Sequence, residues 1–450
     1  MTTMTMSASS KFDILAVLVT MAAFSSTTLA SNNNVVGNQC AWNPSGPLGL
    51  LAQCRAAYDP TTASGASDWG PWTQRPVCVG PKANKVPPAY CAFVKEDFRG
   101  EAGLLVLTSP EIAAGDHSFV EDFDPRWWTG DSVRRRGGGG GGRQQQEQSR
   151  PDAASDAPSI EVKEIPGKGL GAVATAAIRA GDVVLRENPV LLQLAEPPAG
   201  AVDRTQAVWV LEEGFVRLSR RDQEAVFGLS RSTGGHVLED ILRTNTFGAT
   251  FNDVAHFGLF PKAARINHAC KPNAITRYSP RTLELEVVAY KDIQPGEEVS
   301  ISYSMLNMLS DDRKRTLQEW GFNCTCALCG APAADVAASD ARRARLQQIL
   351  ARLTDDNDTA TATSTSAAAA AIGELTAEME GVMEREGLTA QAGEFYGMVA
   401  RAYARAGEAR EGARYARMAV EGMERFAGYD DERTAAARGL LGELGKVGGA

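Results

Sequence analysis

Cysteine is missing from the whole middle of this 450-residue chain: Cys40, Cys54, Cys78 and Cys91 precede the gap, and Cys270, Cys324, Cys326 and Cys329 follow it. No disulfide and no thiolate metal centre can be rooted between residues 92 and 269. Positive charge is short as well, 46 Lys and Arg against 55 Asp and Glu for a net charge of -9, which argues against a broad basic face for nucleic acid. Arg134-Arg135-Arg136 is a local cluster and reads as linker. The apolar run Ile14–Phe24 falls short of the roughly 20 residues that a membrane-spanning helix needs. Gly167-Lys168-Gly169-Leu170-Gly171 lacks the Gly-Lys-Ser/Thr ending of a phosphate-binding loop.

What is present is an ordinary globular composition, 44% hydrophobic, in a chain long enough for several domains. Lys11, the apolar run to Phe24 and the small residues Thr28 and Ala30 have the layout of a secretory signal peptide over residues 1–30. In an oxidising lumen the four early cysteines would form two disulfides, and the sequence leaves all three pairings open. Trp42, Trp69, Trp72, Trp127 and Trp128 fall in the same stretch, so residues 31–130 read as a small Cys- and Trp-containing N-terminal domain. Gly137–Gly142 and the Gln-rich sequence after it have too little apolar surface to order themselves, which makes residues 131–158 a disordered linker.

The chemistry concentrates beyond that linker. Cys324-Thr325-Cys326-Ala327-Leu328-Cys329 has metal-ligand spacing, and Cys270 would complete a four-thiolate set from 54 positions upstream. Cys270 sits in Asn267-His268-Ala269-Cys270-Lys271-Pro272-Asn273, so a zinc site there would pin a loop and a tail together. Alternation predicts strands at 160–163, 182–185, 190–192, 283–290 and 299–303, and a helical middle is expected over 205–247. The glycines at 167, 169 and 171 permit a tight turn and a close backbone approach.

The order of these pieces resembles a SET domain with a post-SET zinc tail: Gly-Lys-Gly-Leu-Gly, then Asn267-His268-Ala269-Cys270, then Gly296-Glu297-Glu298 leading to Ser302-Tyr303, then the Cys-x-Cys-x2-Cys ending. The match is similar to fungal SET proteins and to the SET and MYND family, without the MYND finger, for which the cysteine gap leaves no ligands. The resemblance implies S-adenosylmethionine-dependent methyl transfer to a protein lysine, histone or non-histone, with Zn2+ on Cys270, Cys324, Cys326 and Cys329. It implies Tyr303 as the catalytic residue, and Lys168, Gly169, Leu170, Asn245, Asn267, His268 and Phe322 at the cofactor. It places Trp320 in the substrate channel, where the SET and MYND family commonly has Tyr. The rival reading is a SET-fold, zinc-stabilised interaction protein that transfers no methyl group.

The fold expected is multidomain α+β. A mainly-β SET domain over 159–306 and a post-SET tail over 307–332 are followed by a polar loop over 333–372 and a helical lobe over 373–450 resembling a tetratricopeptide hairpin. The expected partner is a lysine-containing protein substrate met by a monomer, with no direct nucleic-acid binding and no transmembrane span. The export signal and the SET chemistry point to different compartments.

Overall fold

A computed structural model describes residues 70–80, 90–100, 102–115, 159–197, 202–355 and 364–447. The expected signal peptide, Cys40, Cys54, four of the five N-terminal tryptophans and the 131–158 linker lie outside the described residues. The chain divides into two compact units, one drawn from residues 1–123 and 188–261, the other from 124–187 and 262–450.

The first unit is built on a six-stranded sheet. Its strands are β1 (Val77–Val79), β2 (Tyr90–Phe98), β3 (Ala102–Thr108), β7 (Leu191–Leu194), β8 (Thr246–Phe251) and β9 (Val254–Leu259), in the order β1-β2-β3-β7-β9-β8. Residues Tyr90–Val94 and Leu104–Leu107 are nearly all fully buried, as continuous apolar runs covered on both faces should be. Among the described residues four helices belong to this unit: α1 (Pro110–Ala113), α2 (Arg204–Phe215), α3 (Arg220–Phe227) and α4 (Val237–Asn245). A Cβ on Gly214 of α2 would stand 2.5 Å from Leu105 Cδ1 and 2.9 Å from the Ala92 Cβ, so the helix backbone rests directly on β2 and β3.

This sheet changes the picture of the N-terminal region. Residues 31–130 read as a domain apart, yet their described strands share one sheet with β7–β9 from the far side of the linker. The physical link is specific, since Asp222 Oδ2 accepts from the Gly103 amide at 2.9 Å and from Ser219 Oγ at 2.8 Å, tying the β2–β3 turn to the start of α3. Of the early cysteines, Cys78 and Cys91 are joined in a disulfide, opposite one another on β1 and β2.

His256 on β9 is fully buried, with Nδ1 2.9 Å from the Val254 carbonyl and Nε2 3.1 Å from Thr108 Oγ1. Burial pushes its pKa down to about 4, against the Val254 hydrogen bond that raises it. The unfolded chain binds this proton near pH 6.5 while the folded chain refuses it, so the stabilisation is complete above that pH and is lost as pH falls toward 4. Chemical denaturation should show about 3 kcal/mol disappearing across that window, and His256→Gln should flatten the slope. An equal slope in the variant would refute this.

The second unit carries three smaller sheets. The strands β4 (Ile160–Ile165) and β5 (Gly169–Ala174) form a hairpin, and β6 (Val183–Glu187), β11 (Ala274–Tyr278) and β12 (Leu285–Ala289) form a sheet in the order β11-β12-β6. The two-residue strands β10 (Asn267–His268) and β13 (Ser300–Ile301) pair in parallel. After them come α5 (Ser310–Gln318), α6 (Ala333–Thr354), α7 (Thr365–Glu386), α8 (Ala392–Arg405), α9 (Ala409–Phe426) and α10 (Glu432–Val447). The polar loop expected over 333–372 is therefore corrected: α6 fills its first half and α7 begins at Thr365. Leu346, Ile349 and Leu353 fall at i, i+3 and i+7 on α6 and are buried at 0–1% exposure, an apolar stripe hidden within an Ala- and Arg-rich sequence.

The two C-terminal helices anticipated around the Gly407-Glu408 turn are α8 and α9. A Cβ on Gly393 would lie 2.6 Å from the Met423 amide nitrogen, so the start of α8 touches the backbone at the end of α9 and the pair runs antiparallel. Among the described residues no helix is long and apolar enough to cross a membrane.

Candidate functional site

The β4–β5 turn is made possible by glycine. Gly167 and Gly169 have φ of 76° and 72°, the left-handed region that L side chains avoid, and they flank Lys168. A Cβ at Gly169 would meet nothing within 4 Å, so the backbone there opens onto free space. Gly171 is required for a different reason. A Cβ on it would stand 2.5 Å from Asn267 Nδ2, so only glycine lets the Asn-His corner reach the hairpin.

Between hairpin and corner lies Glu298. Its Oε2 accepts from Lys168 Nζ at 2.6 Å and its Oε1 from Asn267 Nδ2 at 3.1 Å. The pairing of β10 with β13 sets Asn267 opposite Ser300 and His268 opposite Ile301, and the Ala269 amide continues it by donating to the Ile301 carbonyl at 2.9 Å. Asn273 locks the arrangement, donating to the Glu298 carbonyl at 3.0 Å and accepting from the Ser300 amide at 2.9 Å.

Tyr303 leaves the end of this ladder. Its backbone amide donates to His268 Nδ1 at 3.0 Å and its hydroxyl donates to the Ile266 carbonyl at 2.8 Å. Burial first, and the Glu298 charge second, hold the phenol above its ordinary pKa, so it stays neutral. His268 is 4% exposed, and burial pushes it down to about 4, opposed by Cys326 and assisted by Lys168 and Arg313. The ring is neutral at pH 7. Because Nδ1 accepts from Tyr303, the ring proton belongs on Nε2, which faces Cys270 Sγ at 3.3 Å. The histidine thus connects the Tyr303 backbone to the cysteine cluster.

Cys270, Cys324, Cys326 and Cys329 place their sulfurs within 4.8 Å of one another, with Cys270 Sγ 3.9 Å from Cys324 Sγ and 3.5 Å from Cys329 Sγ. Four sulfurs bound tetrahedrally to Zn2+ at about 2.3 Å stand about 3.8 Å apart, so both the donor set and its spacing fit a closed structural zinc centre. Around it Tyr303 and Phe322 pack on the cluster, with Phe322 6.2 Å and Tyr303 5.4 Å from the His268 ring by centroids. Trp320 stands 6.0 Å from the Tyr303 ring.

The residues named from the sequence thus divide by place. Lys168, Gly169, Leu170, Asn267, His268, Tyr303, Trp320, Phe322 and the four cysteines all belong to the second unit. Asn245 belongs to the first, at the end of α4, where its Nδ2 donates to the Ser230 carbonyl at 2.8 Å and the Ile241 carbonyl at 2.7 Å. Glu298 and Gly171 were visible in the sequence as parts of motifs, but nothing local marked them as neighbours of Asn267. A cavity of about 280 Å³ is lined by Ser302, Ser304 and Met305, together with Thr276, Glu394 and Arg433. Tyr303, between those serines, packs instead on the cysteine cluster.

Residues 169–304 match the family model for the SET domain. Over 191 residues the chain is 28% identical to histone-lysine N-methyltransferase set5 of Schizosaccharomyces pombe, a match covering 41% of this chain and 55% of that protein. It is 36% identical to N-lysine methyltransferase SMYD2-B of Danio rerio over 22% of this chain and 23% of that protein. It is 39% identical to protein-lysine N-trimethyltransferase SMYD5 of Mus musculus over 17% of this chain and 20% of that protein. The chain thus spans about half the length of the first of these relatives and about a fifth of the other two.

Proposed function

We propose that this chain, which carries a SET domain over residues 169–304, is a protein-lysine N-methyltransferase that uses S-adenosylmethionine. The observation that carries the reading is the junction at Tyr303, where a neutral buried phenol, a neutral His268 and the Asn267–Glu298–Lys168 chain are brought together beside the cysteine cluster. The names of the relatives, all lysine methyltransferases, support it. No observation favours the non-catalytic rival.

When bound, S-adenosylmethionine supplies a methyl group already activated on a sulfonium, so no nucleophilic side chain is required. The chain's own task is to align a neutral lysine amine and keep water away. Lys168, Asn267 and the open backbone at Gly169 would hold the cofactor's polar end, and Phe322 its flat end. Tyr303, Trp320 and Phe322 form an aromatic wall that would keep water from the reacting amine. Tyr303 donates its hydroxyl hydrogen bond to the Ile266 carbonyl and so presents its oxygen lone pairs as the acceptor that would orient the amine.

The test is transfer of a labelled methyl group to protein lysine. Tyr303→Phe should lower turnover by about 100-fold, the scale of one lost preorganised polar contact, while binding of S-adenosylhomocysteine persists. Unchanged turnover in the variant, or a wild-type protein that does not bind S-adenosylhomocysteine, would sink the proposal.

A further inference from the structure

We propose that Glu298 is a positioning residue for the zwitterionic end of the methyl donor: its carboxylate holds Lys168 and Asn267 in fixed orientations, so that the hairpin and the Asn-His corner act as one preformed surface. The inference rests on the methyltransferase reading above. It begins from a contrast between neighbours. Glu297 is exposed and its Oε2 accepts from the Gln294 amide at 2.8 Å, which is a turn contact and nothing more. Glu298 instead divides its two oxygens between partners far away in the sequence, Lys168 at 2.6 Å and Asn267 at 3.1 Å.

Its own backbone is fixed on both sides. Glu298 forms a bridge with Val173 of β5, and its carbonyl accepts from Asn273 Nδ2 at 3.0 Å. The Lys168 and Glu298 side chains are 26% and 22% exposed, shielded enough for the pair to be more than a loose surface contact.

The geometry has a chemical consequence. A carboxylate can only accept, so Asn267 must turn its Nδ2 toward Glu298, and Oδ1 is then the atom it offers on its other side. An amide oxygen is an acceptor for an ammonium group, and the neighbouring Lys168 cation suits a carboxylate. Those are the two charges of an α-amino acid. Glu298 thus selects the amide orientation that fits such a group, and it keeps the Lys168 chain from wandering. The missing Cβ at Gly171, which would stand 3.4 Å from Glu298 Oε1 and 2.5 Å from Asn267 Nδ2, is what lets the three groups meet.

The experiment compares two ligands by calorimetry on the zinc-loaded full chain: S-adenosylhomocysteine, which has the amino-acid end, and 5′-methylthioadenosine, which lacks it. Glu298→Ala should weaken the first by about 10-fold or more and leave the second within about twofold. Glu298→Gln, which keeps the shape and loses the charge, should show the same selectivity at about 3- to 10-fold, and it carries the test if the alanine variant does not fold. Equal loss for both ligands in the glutamine variant, or no loss for either, would overturn the positioning role. A wild-type chain that binds neither ligand would instead overturn the methyltransferase reading, and this inference with it.

Discussion

Replacing Cys270 by serine is expected to abolish zinc binding and reduce methyl transfer to background. The four sulfurs come from two places, one from the loop after His268 and three from the tail after α5, and among the described residues they are the groups spaced to hold a metal. A three-thiolate remnant would bind zinc far more weakly, and the binding energy of a structural zinc is folding energy, on the order of 10 kcal/mol for small zinc modules. The effect should reach the site by a traceable route. Cys270 Sγ accepts a hydrogen bond from His268 Nε2, His268 Nδ1 accepts one from the Tyr303 amide, and Phe322 packs among the cysteines. Metal content by mass spectrometry should be one zinc per wild-type chain and close to none in Cys270→Ser. A serine variant that keeps full zinc and full transfer would remove the cluster from the account. His256 and Thr108 belong to the first unit and the four cysteines to the second, so the His256-dependent acid transition is expected to persist in the variant.

The parts of the site readable from sequence were those whose chemistry is local. Asn267-His268-Ala269-Cys270 and Cys324-x-Cys326-x2-Cys329 carry their meaning in short spacings, and the cysteine spacing was matched by the geometry. The β8–β9 hairpin also had a local signal that went unread: Asn252 and Asp253 with φ of 50° and 60° form the two-residue turn that pairs Phe251 with Val254. The helical stretch expected over 205–247 overlaps only the first two residues of β8, and no element is expected over 248–259. Helix α6 was hidden by composition, because a polar average conceals an apolar stripe that only the spacing of Leu346, Ile349 and Leu353 reveals.

Apart from the joining of Cys270 to the later cysteines, long-range pairing was not legible. Nothing in Ala102–Thr108 says that it will lie beside Leu191–Leu194 in parallel, with a Gly- and Gln-rich segment between them in sequence. The same holds for Glu298, whose partners are 130 and 31 positions away. A carboxylate after a turn is usually a solvated charge, and only the fold shows that one of two adjacent glutamates enters the site.

Glu386→Ala should be the most destabilising single substitution outside the zinc cluster. Glu386 ends α7 at 0% exposure, and its oxygens accept from Ser339 Oγ at 2.6 Å, Arg342 Nε at 2.7 Å and Arg343 Nε at 3.1 Å, with Lys271 Nζ at 3.3 Å. Burial alone would raise its pKa, but the Ser339 and Arg342 hydrogen bonds and the Lys271 and Arg343 charges keep it below the ordinary value, so it is ionised. Arg343 is itself fully buried, and it also donates to the Leu306 and Met308 carbonyls. Removing the carboxylate strands the Arg343 cation in low dielectric, while Arg342 and Lys271, at 35% and 32% exposure, still meet water. Breaking a buried pair this way costs about 3–5 kcal/mol, which for a unit of this size lowers the melting temperature by about 10 °C. Glu386→Gln keeps acceptors for Ser339 and one arginine, so its loss should be roughly half as large. Because Lys271 follows Cys270 and Arg343 grips the segment after Tyr303, both variants should also lower methyl transfer beyond what melting explains at 25 °C. A loss under about 1 kcal/mol for the alanine variant in a denaturant titration would show that water reaches and screens the charges, and that this node does not hold the helices to the site.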